Sequence, residues 1–443
     1  MNAQPHGAQC SEGISMATDE QLSPAAAASH QNVVVMGVGY VGISLCQEAI
    51  RAGHQVTGFD IDPARVDSIK NNTPPPDSIT SSELTELLDS GFTVTTDPSV
   101  LSAADVVVIC VPTPLRGGLP DLSAIESAAR TARDHLCAGV LVVVESTTHP
   151  GTTDDVVAPI LAESGLTIGV DVALAYSPER IQPGNPRYRL RNTPKIVAGL
   201  TPTCIARAEA FYSTVTDNVV VAAGLREAEM AKLLENIYLN VNIALVNEMA
   251  ILCDELDIDV WDVIRCAATK PYDFHAFTPG PGVGGHCVPI DPVYLTTMVR
   301  TRLGHPARLI ETAYDINQQM PQYIVQRAHA VLNSQGVAAS RAAIVLVGIT
   351  YKPDASDMRE TPAEPIARLL RDSGAEVAYS DPHIPTWTVD GKPIPAADPC
   401  SQRYDLGVFL QHHRATDPTP IIQACAAVLD ARGHLGGKNV TRI

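Results

Sequence analysis

Aromatic residues are scarce in this chain of 443 residues, at 5%, so an extended stacking surface for ligands is not to be expected. Basic residues are also in deficit. Lys and Arg number 31 against 49 Asp and Glu, a net charge of -18, and non-specific nucleic-acid binding is disfavoured because phosphate neutralisation needs basic surface. An anionic small molecule is not excluded, since a few local Lys and Arg residues can hold a diphosphate. The 10 cysteines are scattered with no CxxC pair, which argues against a disulfide framework, a zinc ribbon and thioredoxin-like chemistry; no metal site is expected. No apolar run reaches the length of a membrane span, so no membrane partner is expected. The N-terminal stretch lacks a basic region followed by an apolar one, which argues against a secretory signal. Residues 1–30 are read as a disordered tail, and the reducing cytoplasm as the expected location.

What is present is a pattern of short apolar runs separated by helical ones, in a chain long enough for two or three domains. Asn32-Val33-Val34-Val35-Met36 suits a buried parallel strand, a helical pattern runs from Ser44 to Ala52, and Gln55 to Asp60 forms a second strand. Asp105 to Val111 and Val140 to Glu145 are further buried strands, with a helix through Ile125 to His135 between them. This alternation indicates a doubly wound, Rossmann-like α/β sheet. From Leu225 about thirty residues follow with helical apolar spacing and no Gly or Pro: a long central helix that joins two domains and buries a face against a partner subunit, or a long helix within one domain. A Gly- and Pro-rich stretch from Pro271 to Pro292 must be irregular. A second α/β pattern begins at Ala342 and continues through a helix near Pro365 to Ser373 and strands at Glu376 to Ser380 and Asp405 to Leu410.

Gly37-Val38-Gly39-Tyr40-Val41-Gly42 lies between a strand and a helix. In such a GxGxxG the first Gly permits the tight turn, the second lets the backbone approach a diphosphate, and the third lets helix and strand pack closely. Asp60 ends the next strand, eighteen residues after Gly42, where a carboxylate accepts ribose hydroxyls and repels a 2′-phosphate; NAD is therefore expected over NADP, and Asp62 nearby reinforces that choice. Thr113, in Val111-Pro112-Thr113-Pro114, is placed to bond a cofactor ribose or phosphate, or belongs to a proline-stiffened turn.

Gly280-Pro281-Gly282-Val283-Gly284-Gly285-His286-Cys287-Val288-Pro289-Ile290-Asp291-Pro292 is the most unusual segment. Several glycines bring backbone N–H groups close to whatever binds, and Cys287 sits among them instead of in an apolar element, as a reactive thiol would. Cys110, inside an apolar strand, is the contrasting inert core cysteine. His286 is adjacent in sequence and rarely could point at Cys287, so it is read as solvent-facing or loop-bracing. Asp291, four residues on, returns to the same site if the loop turns.

The segments GVGYVG, VTGFDID, VPTP, ESTTHPGTT, YSPER, EAEMAKLLEN, GPGVGGHCVPIDP and GITYKPDASDMRETP together resemble the UDP-glucose/GDP-mannose dehydrogenase family, in family order over essentially the whole chain after the tail. Within it, YSPERIQPGNP and GPGVGGHCVPIDPVYL look most like the UDP-N-acetylglucosamine 6-dehydrogenase branch. The resemblance implies a NAD-binding domain over 31–215, a central helical domain over 216–325 with the catalytic loop and the dimer contact, and a UDP-sugar-binding domain over 326–443. It implies a UDP-sugar substrate and a homodimer or higher homo-oligomer.

The implied chemistry is a four-electron oxidation of a sugar 6-hydroxyl. Cys287 would trap the aldehyde, a thioester would follow, and water would release the uronic acid; cysteine suits this because its thiolate is a strong nucleophile. By the same resemblance Lys232 and Asn236, four residues apart on one helical face, stabilise the oxyanion, although Lys232 without it would read as a solvated helix lysine. Asp291 assists proton transfer with Lys232, Glu179 is the general base for the hydrolytic water, and Thr147 orders water and cofactor near the nicotinamide. Lys352 and Arg359 match positions that reach substrate and NAD respectively, and Gly282, Val283, Gly284 and Gly285 would offer backbone donors to the sugar. The glutamate that UDP-glucose members carry four residues after the base is Pro183 here, which weakens glucose as the sugar. Lys270 is a candidate for the basic residue that a neighbouring subunit sends to the substrate diphosphate. UDP-N-acetylglucosamine is thus the expected substrate, with UDP-N-acetylmannosamine or UDP-glucose as alternatives. A two-electron dehydrogenase or an epimerase on the same fold leaves Cys287 unexplained. A non-catalytic NAD- or UDP-sugar-binding protein predicts losses among Cys287, Lys232, Glu179 and Asp291, and all four are present.

Overall fold

The computed structural model describes residues 30–76, 78–181, 185, 187–398 and 401–443. Apart from residue 30, the N-terminal tail lies outside the described residues, as does Pro183. The first sheet contains β1 (Asn32–Met36), β2 (Gln55–Phe59), β3 (Thr93–Thr95), β4 (Val106–Ile109), β5 (Leu141–Val144), β6 (Ala173–Tyr176), β7 (Lys195–Gly199) and β8 (Val219–Val221). Their order is β8-β7-β6-β5-β4-β1-β2-β3, and β6 and β7 pair antiparallel while the other neighbours are parallel. Strands β1, β4 and β5 are almost wholly buried Val, Ile, Leu and Met, as a sheet covered on both faces requires. Helix α1 (Tyr40–Arg51) packs Ile43, Cys46 and Ala49 on one face. The shorter α2 (Pro63–Lys70) follows β2, and α3 (Ser123–Arg133) covers the other face with Ile125, Ala129 and Ala132. Helix α4 (Pro202–Val215) lies on the same side as α1. Strand order reverses between β1 and β4, so the crevice beyond their carboxyl ends is where a ligand collects.

Helix α5 (Leu225–Glu255) is the expected long helix, 31 residues or about 46 Å. Its start packs Leu225 and Ala228 into the core of the first sheet. Its far end packs Ala250 and Cys253 against Val260, and Trp261 donates to the carbonyl of Ile443 at 2.8 Å. A face of α5 is nonetheless exposed: Met230, Leu234, Tyr238, Leu245, Met249, Leu252 and Leu256 recur at helical spacing. By length and composition α5 could cross a membrane, with a mean hydropathy of 1.2 in its most apolar window, whereas the reading of the sequence found no such run. Buried Glu229, Lys232, Asn236, Asn240 and Asn247 along it instead engage the protein.

Helix α6 (Asp291–Leu303) follows the cysteine loop, and α7 (Arg308–Ser334) lies along α5. Residues 325 and 326, between which the sequence suggested a division, both lie inside α7. The helix carries Pro321 in its interior and packs Met320, Ile324, Ala328 and Leu332 into the second core. The second sheet contains β9 (Ala343–Val347), β10 (Glu376–Ser380), β11 (Tyr404–Phe409), β12 (Cys425–Asp430) and β13 (Val440–Arg442). It is wholly parallel in the order β10-β9-β11-β12-β13. Helix α8 (Ala363–Asp372) packs Ile366, Ala367 and Leu370 on it.

Candidate active site

The three glycines of the first loop do three different things. Gly37 has φ of +91°, and a Cβ there would stand 2.6 Å from the Cys110 carbonyl oxygen. A Cβ on Gly42 would lie 2.0 Å from the Gly37 carbonyl oxygen, so α1 can pack on β1 only with glycine there. Gly39 faces open space, with nothing within 4 Å of a Cβ, and caps α1 without a side-chain hydrogen bond. The free N–H groups at that helix end suit a diphosphate. Asp60 accepts from Val38 N–H and Asp62 N–H, each at 3.0 Å; a carboxylate with two acceptor oxygens retains capacity for ribose hydroxyls. Asp62 turns away and caps α2 through Ala64 N–H at 2.9 Å. Thr113 sits beyond β4, its hydroxyl against the Tyr294 phenol.

Cys287 lies half-buried where the second loop meets α6. Its carbonyl accepts from Ile290 N–H at 3.0 Å and Asp291 N–H at 2.8 Å, so the loop turns directly into the helix and returns Asp291 to the same site. Lys232 and Asn236 are buried on α5, and the Asn236 amide donates to Asp291 Oδ2, so the amide is directed at the carboxylate. Burial pushes the Asp291 carboxyl up to about 6, opposed by Lys232 and the Asn236 bond. Burial also pushes the Cys287 thiol up to about 12, with Asp291 adding to the rise while Lys232 and Arg359 oppose it. His286 braces the loop: its Nε2 is 2.6 Å from the Tyr40 hydroxyl, and burial, reinforced by Arg359, pulls the imidazole down to about 4, which keeps it neutral at pH 7.

The second loop's glycines are demanded by close approach to the C-terminal domain. A Cβ on Gly284 would come within 2.5 Å of Tyr351 Cβ and 2.6 Å of the Glu360 carbonyl oxygen, and one on Gly285 within 2.8 Å of the Tyr351 ring. Gly285 N–H donates to the Arg359 carbonyl at 2.9 Å, so this donor is spent within the protein. Gly282, with φ of +130°, and Val283 precede it. The loop's entry is held by amides: Gly280 N–H donates to Asn247 Oδ1, Asn247 to Asn317 Oδ1 and Asn317 to the Asn240 carbonyl, each at 2.9 Å.

Lys352 lies over the Tyr351 ring at 5.6 Å, and Arg359 grips Asp357 through Nε at 2.9 Å and Nη2 at 2.6 Å. Asp354, His383 and His413 could by spacing hold a metal ion. His413 instead accepts from Asp354 N–H at 3.0 Å and meets Asp381 Oδ2 at 3.0 Å, while Asp354 receives Arg414 N–H at 2.7 Å. These groups brace the Lys352 loop. Lys270 is exposed beside Tyr272, 4.9 Å from its ring centroid.

Glu179 follows β6 and is buried, its Oε1 accepting from Ile181 N–H. Thr147 follows β5 on a half-buried loop. That loop is tied to α5 by Glu229, which the sequence reading passed over: it accepts from Gly151 N–H at 2.6 Å, Thr153 N–H at 2.9 Å and the Thr153 hydroxyl at 2.7 Å. The available signal was a polar stripe at positions 229, 232, 236 and 240 in an otherwise apolar helix. Charges from Asp291 at the start of α6, from Lys232 on α5, from Arg359 and from Glu179 thus act on Cys287.

Three sequence profiles match this chain in order: the NAD binding domain of the UDP-glucose/GDP-mannose dehydrogenase family over residues 31–216, its central domain over 226–319 and its UDP binding domain over 345–440. The chain belongs to that family. This UDP-sugar dehydrogenase family member is accordingly an oxidoreductase with NAD as its cofactor. Protein CapL of Staphylococcus aureus is 36% identical over 357 residues, 80% of this chain and 82% of its own length. The UDP-N-acetyl-D-mannosamine dehydrogenase of Pyrococcus horikoshii is 35% identical over 357 residues, 80% of this chain and 84% of its own. A solved structure described as the UDP-D-ManNAc dehydrogenase of that organism superimposes with a TM-score of 0.84 at 30% identity, covering 93% of this chain and 99% of that one.

Proposed function

We propose that this family member oxidises the 6-hydroxyl of UDP-N-acetyl-D-mannosamine to the uronic acid through a thioester on Cys287. The expected N-acetylglucosamine branch gives way because several relatives of about one-third identity are named for the mannosamine sugar. The observation that carries the chemistry is the packing of Cys287, Lys232, Asn236 and Asp291 into one partly enclosed site between the two α/β domains.

NAD, held by Gly37, Gly39, the N-terminus of α1 and Asp60, supplies the hydride acceptor for both oxidations. Lys232 and Asp291 take the hydroxyl proton, and Lys232 then balances charge on the oxygen. Once that proton has passed to solvent, the Cys287 S–H adds across the aldehyde carbonyl, sulfur bonding to carbon and the proton ending on oxygen, and this hydroxyl proton leaves to Asp291 in the second oxidation. After the second oxidation, Glu179 takes a proton from water as its oxygen bonds to the acyl carbon, and the C–S bond breaks to return the thiolate. Lys352, with the backbone of Gly282 to Gly284, holds the nucleotide sugar, and Arg359, Thr147 and Thr113 line the cofactor side. The apolar stripe of α5, from Met230 to Leu256, is the surface through which two copies pair. The need for a reduced thiol and for soluble NAD favours the reducing cytoplasm as the setting.

The test is NADH release with UDP-N-acetylmannosamine, UDP-N-acetylglucosamine and UDP-glucose. The highest kcat/KM is expected for the first, with two NADH formed per sugar. A preference for either other sugar removes the sugar assignment, and a ratio of one removes the thioester.

A further inference from the structure

Three ionisable side chains beside the site form a buried group that the mechanism above uses only in part. Lys195 opens β7, Glu145 follows the end of β5, and Glu179 follows the end of β6. The Lys195 side chain is 2% exposed and that of Glu145 0%. Lys195 Nζ stands 2.9 Å from Glu145 Oε1 and 3.6 Å from Glu179 Oε2. Glu145 is held as an acceptor on both oxygens: the Tyr212 hydroxyl donates to Oε1 at 2.5 Å and the Cys110 thiol to Oε2 at 3.6 Å. One ammonium therefore serves two carboxyl groups out of water; burial pushes the nearer one, Glu145, up, and Lys195 and the Tyr212 bond oppose that rise.

A buried cation is costly unless paired, and pairing with Glu145 alone meets that need. Its second approach, to Glu179, is what calls for an explanation. We propose that Lys195 is a positioning residue for Glu179, turning Oε2 inward and setting the proton affinity of the carboxylate, with Glu145 drawing off part of the lysine's charge so that Glu179 stays basic enough to take a proton from water. An undivided Lys195 would favour the ionised form of Glu179 and make it a weaker base; its removal would leave two carboxylates facing each other and raise the proton affinity of the pair. Cys110 beyond β4, Tyr40 on α1 and Cys287 itself also feel the charge of Glu179, and burial raises each of them, which keeps all three neutral in the resting protein.

This inference rests on Glu179 as the base for thioester hydrolysis, and the experiment separates the two. Difference infrared spectra of the full chain without cofactor, titrated with pH, follow the Glu179 carboxylate as the band lost in Glu179→Gln. Glu145→Gln, which keeps the shape of the side chain, should lower the Glu179 midpoint by about one unit, a tenfold change in proton affinity. Lys195→Met should raise it by a similar amount. A midpoint unmoved in Glu145→Gln, or moved in the same direction by both variants, overturns the proposal; if Lys195→Met fails to fold, Glu145→Gln alone decides. Intact-mass measurement of acyl-enzyme during turnover tests the base reading separately. Glu179→Gln should accumulate the thioester, and normal product release by that variant would remove Glu179 as the base whatever the infrared midpoints show.

Discussion

Replacing Asp291 with Asn should abolish turnover yet make Cys287 react faster with iodoacetamide. Asp291 lies one helical turn from Cys287, its N–H bonded to the cysteine carbonyl at 2.8 Å, which puts the two side chains roughly 6 Å apart. At that distance and an effective dielectric near 20, a unit charge is worth about 3 kcal/mol, or about two pKa units at most. The thiol sits at about 12 with Asp291 among the causes, so at pH 8 about one molecule in ten thousand carries thiolate. Losing the charge should raise that fraction by about 10- to 100-fold. A less basic thiolate is also a poorer nucleophile, with a Brønsted slope of about 0.4–0.5, so alkylation should quicken by about 3- to 16-fold. Lys232→Met should slow it, because Lys232 acts on Cys287 with the opposite sign. The assay is mass spectrometry of the Cys287 peptide over time, since Cys137 and Cys266 are exposed and would also react. Alkylation that is unchanged or slower in a folded Asp291→Asn protein would refute the electrostatic reasoning.

Asp60→Ala should weaken NAD binding by about 10- to 100-fold, the worth of charge-assisted hydrogen bonds, as read by calorimetry; an unchanged affinity would take Asp60 off the ribose. Gly42→Ala should lower stability by about 1–3 kcal/mol or prevent folding, since its Cβ meets a carbonyl at 2.0 Å. Gly39→Ala should leave the denaturation midpoint nearly unchanged and weaken NAD binding, because its Cβ enters open space; equal loss of stability in both variants would remove that distinction. The first oxidation should fade as pH falls through about 6, where Asp291 takes up its proton: the carboxylate is the competent form, present above that value and lost below it. A pH profile of the first NADH formed, without a limb near that value, would exclude Asp291 as the acceptor.

The Rossmann-like core was legible because its signals are local. Valine-rich strands buried on both faces read as continuous apolar runs, and β1 begins and ends at the residues that patterning suggested. The glycine loop is legible for the same reason, since Gly37 and Gly42 answer to carbonyl oxygens across one strand or nearby in the chain, and Gly39 sits at the open helix N-terminus. Strand β8, of three residues, is too short for periodicity to separate from loop. Helix α7 hid behind Pro321, which ordinarily ends a helix and is tolerated here within a helix packed against α5 and the second core.

By itself the sequence determined the cofactor fold, the identity of the thiol set among glycines and the residue types needed around it, because these depend on spacing along one chain. Only tertiary structure decided how they act on one another. It directed Asn236 at Asp291, spent the Gly285 N–H on Arg359, gave His286 to Tyr40 and brought Lys195 between Glu145 and Glu179. The physical reason is that proton affinity and donor direction are set by burial and by neighbours from distant strands, which no local pattern encodes.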